Sequence, residues 1–553
     1  MTSKRTVTGD AALPTDAWND SLIGDFLWTN ANFAEAISDV MTPCTWSMWQ
    51  IYLGQVMPVR LPENFPMAGN IGGRPYLNLS MMASFGRVFG AKPRATLRRA
   101  ESMFGRIPDD IEIPTVPITL RTVFKTFLPG FFTARKQMRA YARQAPTFLD
   151  TAPGWCTDMH RRIETTQDKT SLVTLWRSEL LPYFQRTCWV LRAVTGQFSG
   201  PAGTLRRQLL DLVGEADTNA LLSNMRGAGD LASLGPARGL AKVARGEMTR
   251  EAYLQQYGHR GPHEMELSIP RPTENPAWLD RQLADFAQAS VDVDALLASQ
   301  RAAFDAAWAR FAARYPRKAK SVRRRLAQIA KAAQRREAVR SEATRVIGVV
   351  RAFALRAGAL TGSNDDIFFL SLDEIQDVLS GDESAVALIP TRRETYARYA
   401  ALPPYPALIV GPFDPFAWAA DPNRRSDIYN AHAPAQAARV KTIQGFAGAA
   451  GVVEGIVRKL ETPEEGDQFQ AGEILVTVKT NVGWTPLFPR AAAVVTDVGA
   501  PLSHAAIVAR EMGIPAVVGC GNATMVLRTG DRVRVDGSQG MVEVLPAHAS
   551  TTM

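Results

Sequence analysis

The stretch VTDVGAPLSHAAIVAREMGIPAVVG, Val495 to Gly519, holds His504, one of only six histidines among 553 residues. Just upstream, AAAVVTD reads as a buried strand and VGAP as a tight turn. Ser503 is a good helix N-cap, and HAAIVAREM is the helix it would cap. His504 then falls in the first helical turn, where backbone N–H groups lack partners and the dipole is positive. Such a position favours an anion and disfavours imidazolium, so the ring is expected to be neutral and nucleophilic. A neutral imidazole at an anion-binding helix end suits uptake of a phosphoryl group. The small residues Gly499, Ala500, Ala505 and Ala506 keep the approach open. The plainer alternative is a surface histidine at a helix start.

Around this stretch, the chain beyond Gly445 alternates short β runs with glycine turns: GVVEGIVRKL, GEILVTVK, AAAVVTD, PAVVG, DRVRVDG and GMVEVL. One helix from Ser503 interrupts them. Residues 441–548 therefore read as a small β-rich domain with a single helix. Residues 400–440 are rich in proline and alanine, as a semi-rigid linker would be. Residues 21–399 read as a separate region. Its first part, 21–90, mixes helix and strand, and 90–360 is mostly helical at 3.6-residue spacing. The loop YGHRGPHEMELSIPRPTENP, Tyr257 to Pro276, breaks that pattern and gathers titratable groups. Ser371 and Glu374 form a capping box at the start of a later helix. Residues 1–20 read as a polar tail.

Length calls for several domains, and 46% hydrophobic with 21% charged residues is the composition of a soluble globular chain. The N-terminus has no apolar signal core and no segment is long enough to span a bilayer, so a cytoplasmic protein without a membrane partner is expected. Four scattered cysteines form no C-x-x-C pair, which argues against a zinc knuckle or a disulfide framework. The formal net charge is +9, and Arg317–Arg345 alone, with eleven basic and two acidic residues, supplies an equal excess. No base-reading or stacking motif accompanies it, so a phosphate-attracting helix face or a solvated one is expected rather than a nucleic-acid interface.

Ser503 to Gly519, with Arg510, Glu511, Gly513 and Pro515, resembles the mobile phosphohistidine domain of phosphoenolpyruvate-utilising enzymes. GAAGVVEGIVRKL and LRTGDRVRVDGSQGMVEVL are similar to that domain's first strand and closing hairpin. Ala500 departs from the family's second glycine. WTNANFAEAISDVMTPCTWS, the Tyr257 loop and DDIFFLSLDEI resemble the acceptor-binding region of rifampicin phosphotransferase-type and phenylphosphate synthase-type enzymes. The resemblance implies a multidomain α+β chain: a large, mostly helical acceptor-binding domain, then a small swivelling β/β/α phosphohistidine domain. It implies that His504 carries phosphate.

Those relatives also hold an ATP-grasp domain, for which the residues ahead of the acceptor-like region leave no room, and no Walker motif occurs. The expectation is a two-component, dikinase-type phosphotransferase. A separate ATP-grasp subunit, with ATP and Mg²⁺, would charge His504, and the acceptor would be a hydroxyl of a phenolic or antibiotic-like small molecule. No cofactor is expected to bind tightly to this chain, and no metal ligands are assigned. For the acceptor site, His259 or Glu264 is the candidate base. Arg260 is the candidate phosphoryl-oxygen ligand, Tyr257 a pocket wall, and Arg336 and Arg340, one turn apart, meet the incoming phosphohistidine. Ser503 joins them as a phosphate-side residue, and His263 is the less favoured base. Trp28, Trp46, Met48 and Trp49 are expected to be core or to line an aromatic pocket. Asp365 and Asp366 read as caps. The alternatives are a phosphoenolpyruvate-linked transfer with a partner chain, and a non-catalytic protein that keeps the histidine domain.

Overall fold

The computed structural model describes residues 18–31, 37, 39–56, 65–98, 104, 107–223, 234–289, 293–433, 442–501 and 503–546. The expected tail therefore lies outside the described residues up to 17, as do 434–441 and the end of the terminal domain beyond 546.

The helical body is built on α1 (Pro43–Val56), α2 (Leu128–Thr165), α3 (Leu181–Leu221), α4 (Arg250–Tyr257), α5 (Val293–Arg314) and α6 (Pro316–Thr361). Helix α6 is 46 residues long, starts with Pro316 in its first turn and stops at Gly362 in the left-handed region, φ 81°. It buries Val322, Ile329, Ala333, Val339, Val346, Val350, Phe353 and Ala357, a stripe whose steps are three, four, six or seven residues. That stripe packs on α2 and α3, and Phe353 stacks on Trp176 at 4.5 Å. The basic run is thus one segment of a central helix: Arg317, Lys318, Lys320, Arg323, Arg324 and Lys331 lie exposed on its solvated side, and the opposite side is core.

Five strands form the first sheet in the order β2-β3-β1-β4-β5, with β1 at Leu27–Thr29, β2 at Ala68–Ile71, β3 at Arg74–Asn78, β4 at Leu408–Val410 and β5 at Ile428–Asn430. Strands β4 and β5 come from the stretch read as a linker. Leu408, Ile409 and Val410 are buried and pair antiparallel with β1, Trp28 opposite Ile409. Three consecutive aliphatic residues between prolines make a central strand once β1 is present to receive them, so 408–430 closes the N-terminal sheet.

The terminal domain has eight strands in the order β6-β13-β12-β8-β9-β10-β11-β7. They are β6 (Thr442–Gln444), β7 (Phe446–Ala449), β8 (Val452–Lys459), β9 (Ile474–Thr477), β10 (Ala493–Thr496), β11 (Ala516–Val518), β12 (Arg532–Asp536) and β13 (Met541–Val544). The centre, β8 through β11, is parallel. Helix α7 (His504–Met512) is the crossover from β10 to β11. Its N-terminus therefore opens at the carboxyl ends of the parallel strands, where α/β sheets bind ligands. The expected multidomain α+β architecture, a helical region before a small β domain, is what the chain adopts. No helix among the described residues is long and apolar enough to cross a membrane.

Candidate active site

The turn after β10 narrows at Gly499, φ 154°, where a Cβ would lie 3.1 Å from Val518 Cβ. Ser503 then caps α7, its Oγ accepting from Ala506 N at 3.3 Å. Gly513 ends the helix at φ 70°. All nine residues of α7 are buried, although the helix carries Arg510 and Glu511. The cause is a second layer on its outer side. Phe198, Leu205 and Leu209 of α3, Phe311 of α5 and Val322, Ile329 and Ala333 of α6 share one apolar cluster with Ala505, Ala506, Ile507, Val508 and Met512. The histidine domain is docked on the helical body.

Within this seam the His504 ring has a threonine hydroxyl at each nitrogen. Thr480 Oγ1 lies 3.2 Å from Nδ1 and Thr485 Oγ1 3.5 Å from Nε2. Phe488 meets the ring edge-on with centroids 6.2 Å apart. Burial lowers its pKa to about 3, and the positive charges of Arg340, Arg260 and Arg336 push the same way against the opposing pull of Glu337. The ring is neutral at physiological pH, as its place at a helix start implied, but the enclosure and the arginines contribute alongside the helix dipole.

Those arginines come from two elements of the helical body. Arg336 and Arg340 stand on α6, and Arg260 opens the loop after α4. Each is held by a buried carboxylate. Arg336 donates through Nη2 and Nε to Glu337 Oε1 at 2.5 and 3.0 Å. Arg260 Nε donates to Glu264 Oε2 at 2.7 Å, and Arg340 Nη2 stands 3.8 Å from Glu264 Oε1. Burial alone would push the Glu337 carboxyl up, but Arg336, Arg340 and Arg260 outweigh it and hold it at about 2. Three guanidiniums against two carboxylates leave one net positive charge facing a neutral ring. Arg260 Nη1 is buried with no protein partner among the described residues.

Of the other expected residues, His259 is buried, with Nε2 2.8 Å from Ser341 Oγ and Nδ1 without a protein partner among the described residues. Burial, then Arg345, Arg260 and Arg271, hold its pKa well below the usual histidine range. Tyr257 is half-buried and packs on Gly235 and Gly239 beside Tyr253, in a small apolar cluster with Leu279. Ser503 Oγ is engaged as a cap. His263 faces two carboxylates, Asp39 Oδ1 at 2.8 Å and Glu464 Oε1 at 3.3 Å. Of the tryptophans, Trp28 and Trp49 are core together with Met48, while Trp46 lines a cavity of about 230 Å³ with Trp18, Glu374 and Arg392. Asp366 pairs with Arg393 at the 3₁₀ turn Asn364–Phe369.

Sequence reasoning missed Glu337, Thr480 and Thr485. Glu337 sits inside QRREAVR, where an acid reads as one more charge on a solvated face. The signal was its i, i+3 spacing to Arg340 on a helix whose neighbouring positions are apolar. The two threonines carry no local signal. Among the described residues no group of three or more His, Cys, Asp or Glu side chains could hold a metal ion.

Comparison with known families agrees with this geometry. Residues 469–540 match the family described as PEP-utilising enzyme, mobile domain, and residues 206–354 match the rifampicin phosphotransferase fourth domain. This chain carries a phosphoenolpyruvate-utilising enzyme mobile domain. The two matched segments contain His504 and the three arginines, respectively. An uncharacterised Mycobacterium tuberculosis protein is 35% identical over 303 residues, 53% of this chain and 31% of its own length. A rifampicin phosphotransferase of a Streptomyces species is 31% identical over 337 residues, 55% of this chain and 36% of its own. The uncharacterised phosphotransferase YvkC of Bacillus subtilis is 36% identical over 201 residues, 35% of this chain and 24% of its own. The shared region thus spans about a third or less of each relative.

Proposed function

We propose that this chain is a phosphotransferase component in which His504 carries a phosphoryl group to a hydroxyl of a small organic acceptor. The observation that carries the reading is a neutral, buried imidazole at a helix start, set against three arginines of the helical body. Relatives named phosphotransferases support the reaction class. Donation from Nδ1–H to Thr480 Oγ1 leaves the Nε2 lone pair as nucleophile. In the first step Nε2 forms the N–P bond and the donor's leaving oxygen departs. In the second the acceptor oxygen bonds phosphorus, the N–P bond breaks and the ring returns to neutral. Arg260, Arg336 and Arg340 neutralise the charge on the moving group, as phosphoryl transfer demands. Both Glu264 oxygens are already engaged by Arg260, Oε2 from Nε at 2.7 Å and Oε1 from Nη2 at 3.4 Å. Neutral His259 retains a lone pair and is the base in this reading.

In the same reading the donor is ATP with Mg²⁺, held by an ATP-grasp unit on a separate polypeptide, and the acceptor is phenolic or antibiotic-like. The family description favours one competitor, phosphoenolpyruvate as donor through a partner chain. Incubation with phosphoramidate, a small phosphohistidine-forming donor, tests the carrier step without a partner. Wild-type chain is expected to gain one acid-labile, base-stable phosphoryl group, and His504→Asn none. Equal labelling of both would refute the assignment. Labelled ATP and labelled phosphoenolpyruvate, each with a cell extract, then separate the two donors.

A further inference from the structure

We propose that His263 is a positioning residue: as an imidazolium it clamps the histidine domain onto the helical body in the arrangement that brings His504 to the arginines. The inference rests on the reading of that docked arrangement as the transfer state, but the clamp itself stands on separate contacts.

His263 belongs to the loop that carries Arg260 and Glu264, on the helical-body side of the seam. Its Nδ1 faces Asp39 Oδ1 at 2.8 Å, on the same side, and its Nε2 faces Glu464 Oε1 at 3.3 Å, in the histidine domain. Carboxylates within ion-pair distance of both nitrogens favour the charged, doubly protonated ring; at Nδ1 the approach of Asp39 is off the line of a hydrogen bond, so the attraction there is one of charge. Two other contacts fix the same strip of loop. Asn481 Nδ2 of the histidine domain donates to Pro262 O at 2.7 Å. Gly483 approaches Pro262 so closely that a Cβ would lie 2.4 Å from Pro262 Cα. Asn481 and Gly483 lie between Thr480 and Thr485, the two hydroxyls at His504. The strip that grips the loop is therefore the strip that holds the ring. On the opposite side, Arg271 Nη1 donates to His263 O at 2.9 Å and ties the clamp back to the body.

The charged groups facing His263 are Asp39 from the N-terminal region, Glu464 from the histidine domain, and Glu264, Arg271 and Arg281 around the adjoining cavity of about 240 Å³. Glu264 is taken by Arg260. The two carboxylates in contact hold His263 up to about 10, against burial. The pKa is raised by both carboxylates, but Asp39 stays beside His263 on its own side of the seam, so only the share due to Glu464 contributes to docking; it is present at neutral pH and is lost as pH rises through about 10.

Interdomain distance is the direct readout. All four native cysteines, Cys44, Cys156, Cys188 and Cys520, are buried, so cysteines introduced at exposed Glu251 and Glu461 take spin labels selectively. In the full chain a single narrow distance is expected at pH 8, broadening toward pH 10.5. His263→Gln and Glu464→Gln are each expected to broaden it at pH 8, by similar amounts and without adding in the double variant. An unchanged narrow distance in both single variants would overturn the clamp, as would full additivity in the pair. Circular dichroism confirms that each variant is folded, and Glu464→Gln keeps the test open if His263→Gln is not. Phosphoramidate labelling of the same variants separates the two ideas. Retained labelling with broadened distance supports both. A narrow distance in a wild-type chain that never labels His504, broadened in both variants, would sink the carrier reading and leave the clamp.

Discussion

A histidine buried without its proton makes folding sensitive to acid. His504 is held at about 3, against about 6.5 for the free side chain, so between those values the unfolded chain takes up a proton that the native one refuses. Stability is full above about 6.5 and falls as pH drops toward 3. One such histidine accounts for about 2 kcal/mol between pH 6.5 and 5. His259, lowered first by burial, adds with the same sign. Urea unfolding at pH 7 and pH 5 is expected to show a smaller loss in His504→Asn than in wild type; identical losses would mean that another group dominates the acid limb. At this scale the sequence was most legible where a residue's role is set by its own neighbours. Ser503 and His504 could be placed from the turn and helix they adjoin. Glu337 could not, because its burial depends on which chain segment covers that side of α6. The packing of Tyr257 was not readable for the same reason: Gly235 and Gly239, on which its ring lies, belong to an earlier helix.

The helix that presents His504 is short, and its two ends are fixed by different means. Ser503→Ala removes one acceptor from an orphan N–H and is expected to cost about 1 kcal/mol. Gly513→Ala imposes a side chain on a left-handed residue at about 1–2 kcal/mol. A Cβ there would meet Gln300 no closer than 3.5 Å, so the cost is conformational and not steric. Thermal melting of the two variants checks both figures, and a larger loss at 513 than at 503 is the expected order. Elements with local punctuation were readable in this way, including the Ser371–Glu374 capping box, where both reciprocal bonds form. The stretch 400–440 was not. Its prolines divide it into short pieces with no lasting periodicity, and Ile409 finds its partner Trp28 far earlier in the sequence. Strand pairing at that separation leaves no trace in the composition of either strand.

Across the whole molecule, the position of His504 depends on how two units meet through a shared apolar cluster. Gly483 is the tightest point: any side chain there must displace the Pro262 backbone. Gly483→Val is expected to open the seam while leaving the eight-stranded sheet intact. The measurement is small-angle scattering against circular dichroism, with an increased radius of gyration at unchanged secondary structure as the expected result. Loss of both signals together would show instead that the substitution unfolds the domain. The division into a helical body and a β-rich terminal unit could be read from periodicity, since the 3.6-residue pattern dominates 90–360 and short β runs dominate the chain beyond Gly445. The seam could not, because apolar residues on α3, α5 and α7 look the same whether they pack within a unit or between two.

The apolar layer over α7 has a thermal consequence. Burial of hydrocarbon surface loses strength on chilling, whereas a bond-breaking step slows only as its own barrier dictates. Delivery of the carried group should therefore decline more steeply in the cold than loading from a small soluble donor, which needs the helix start uncovered. A break between the two Arrhenius lines at low temperature is the mark such a hydrocarbon hinge would leave.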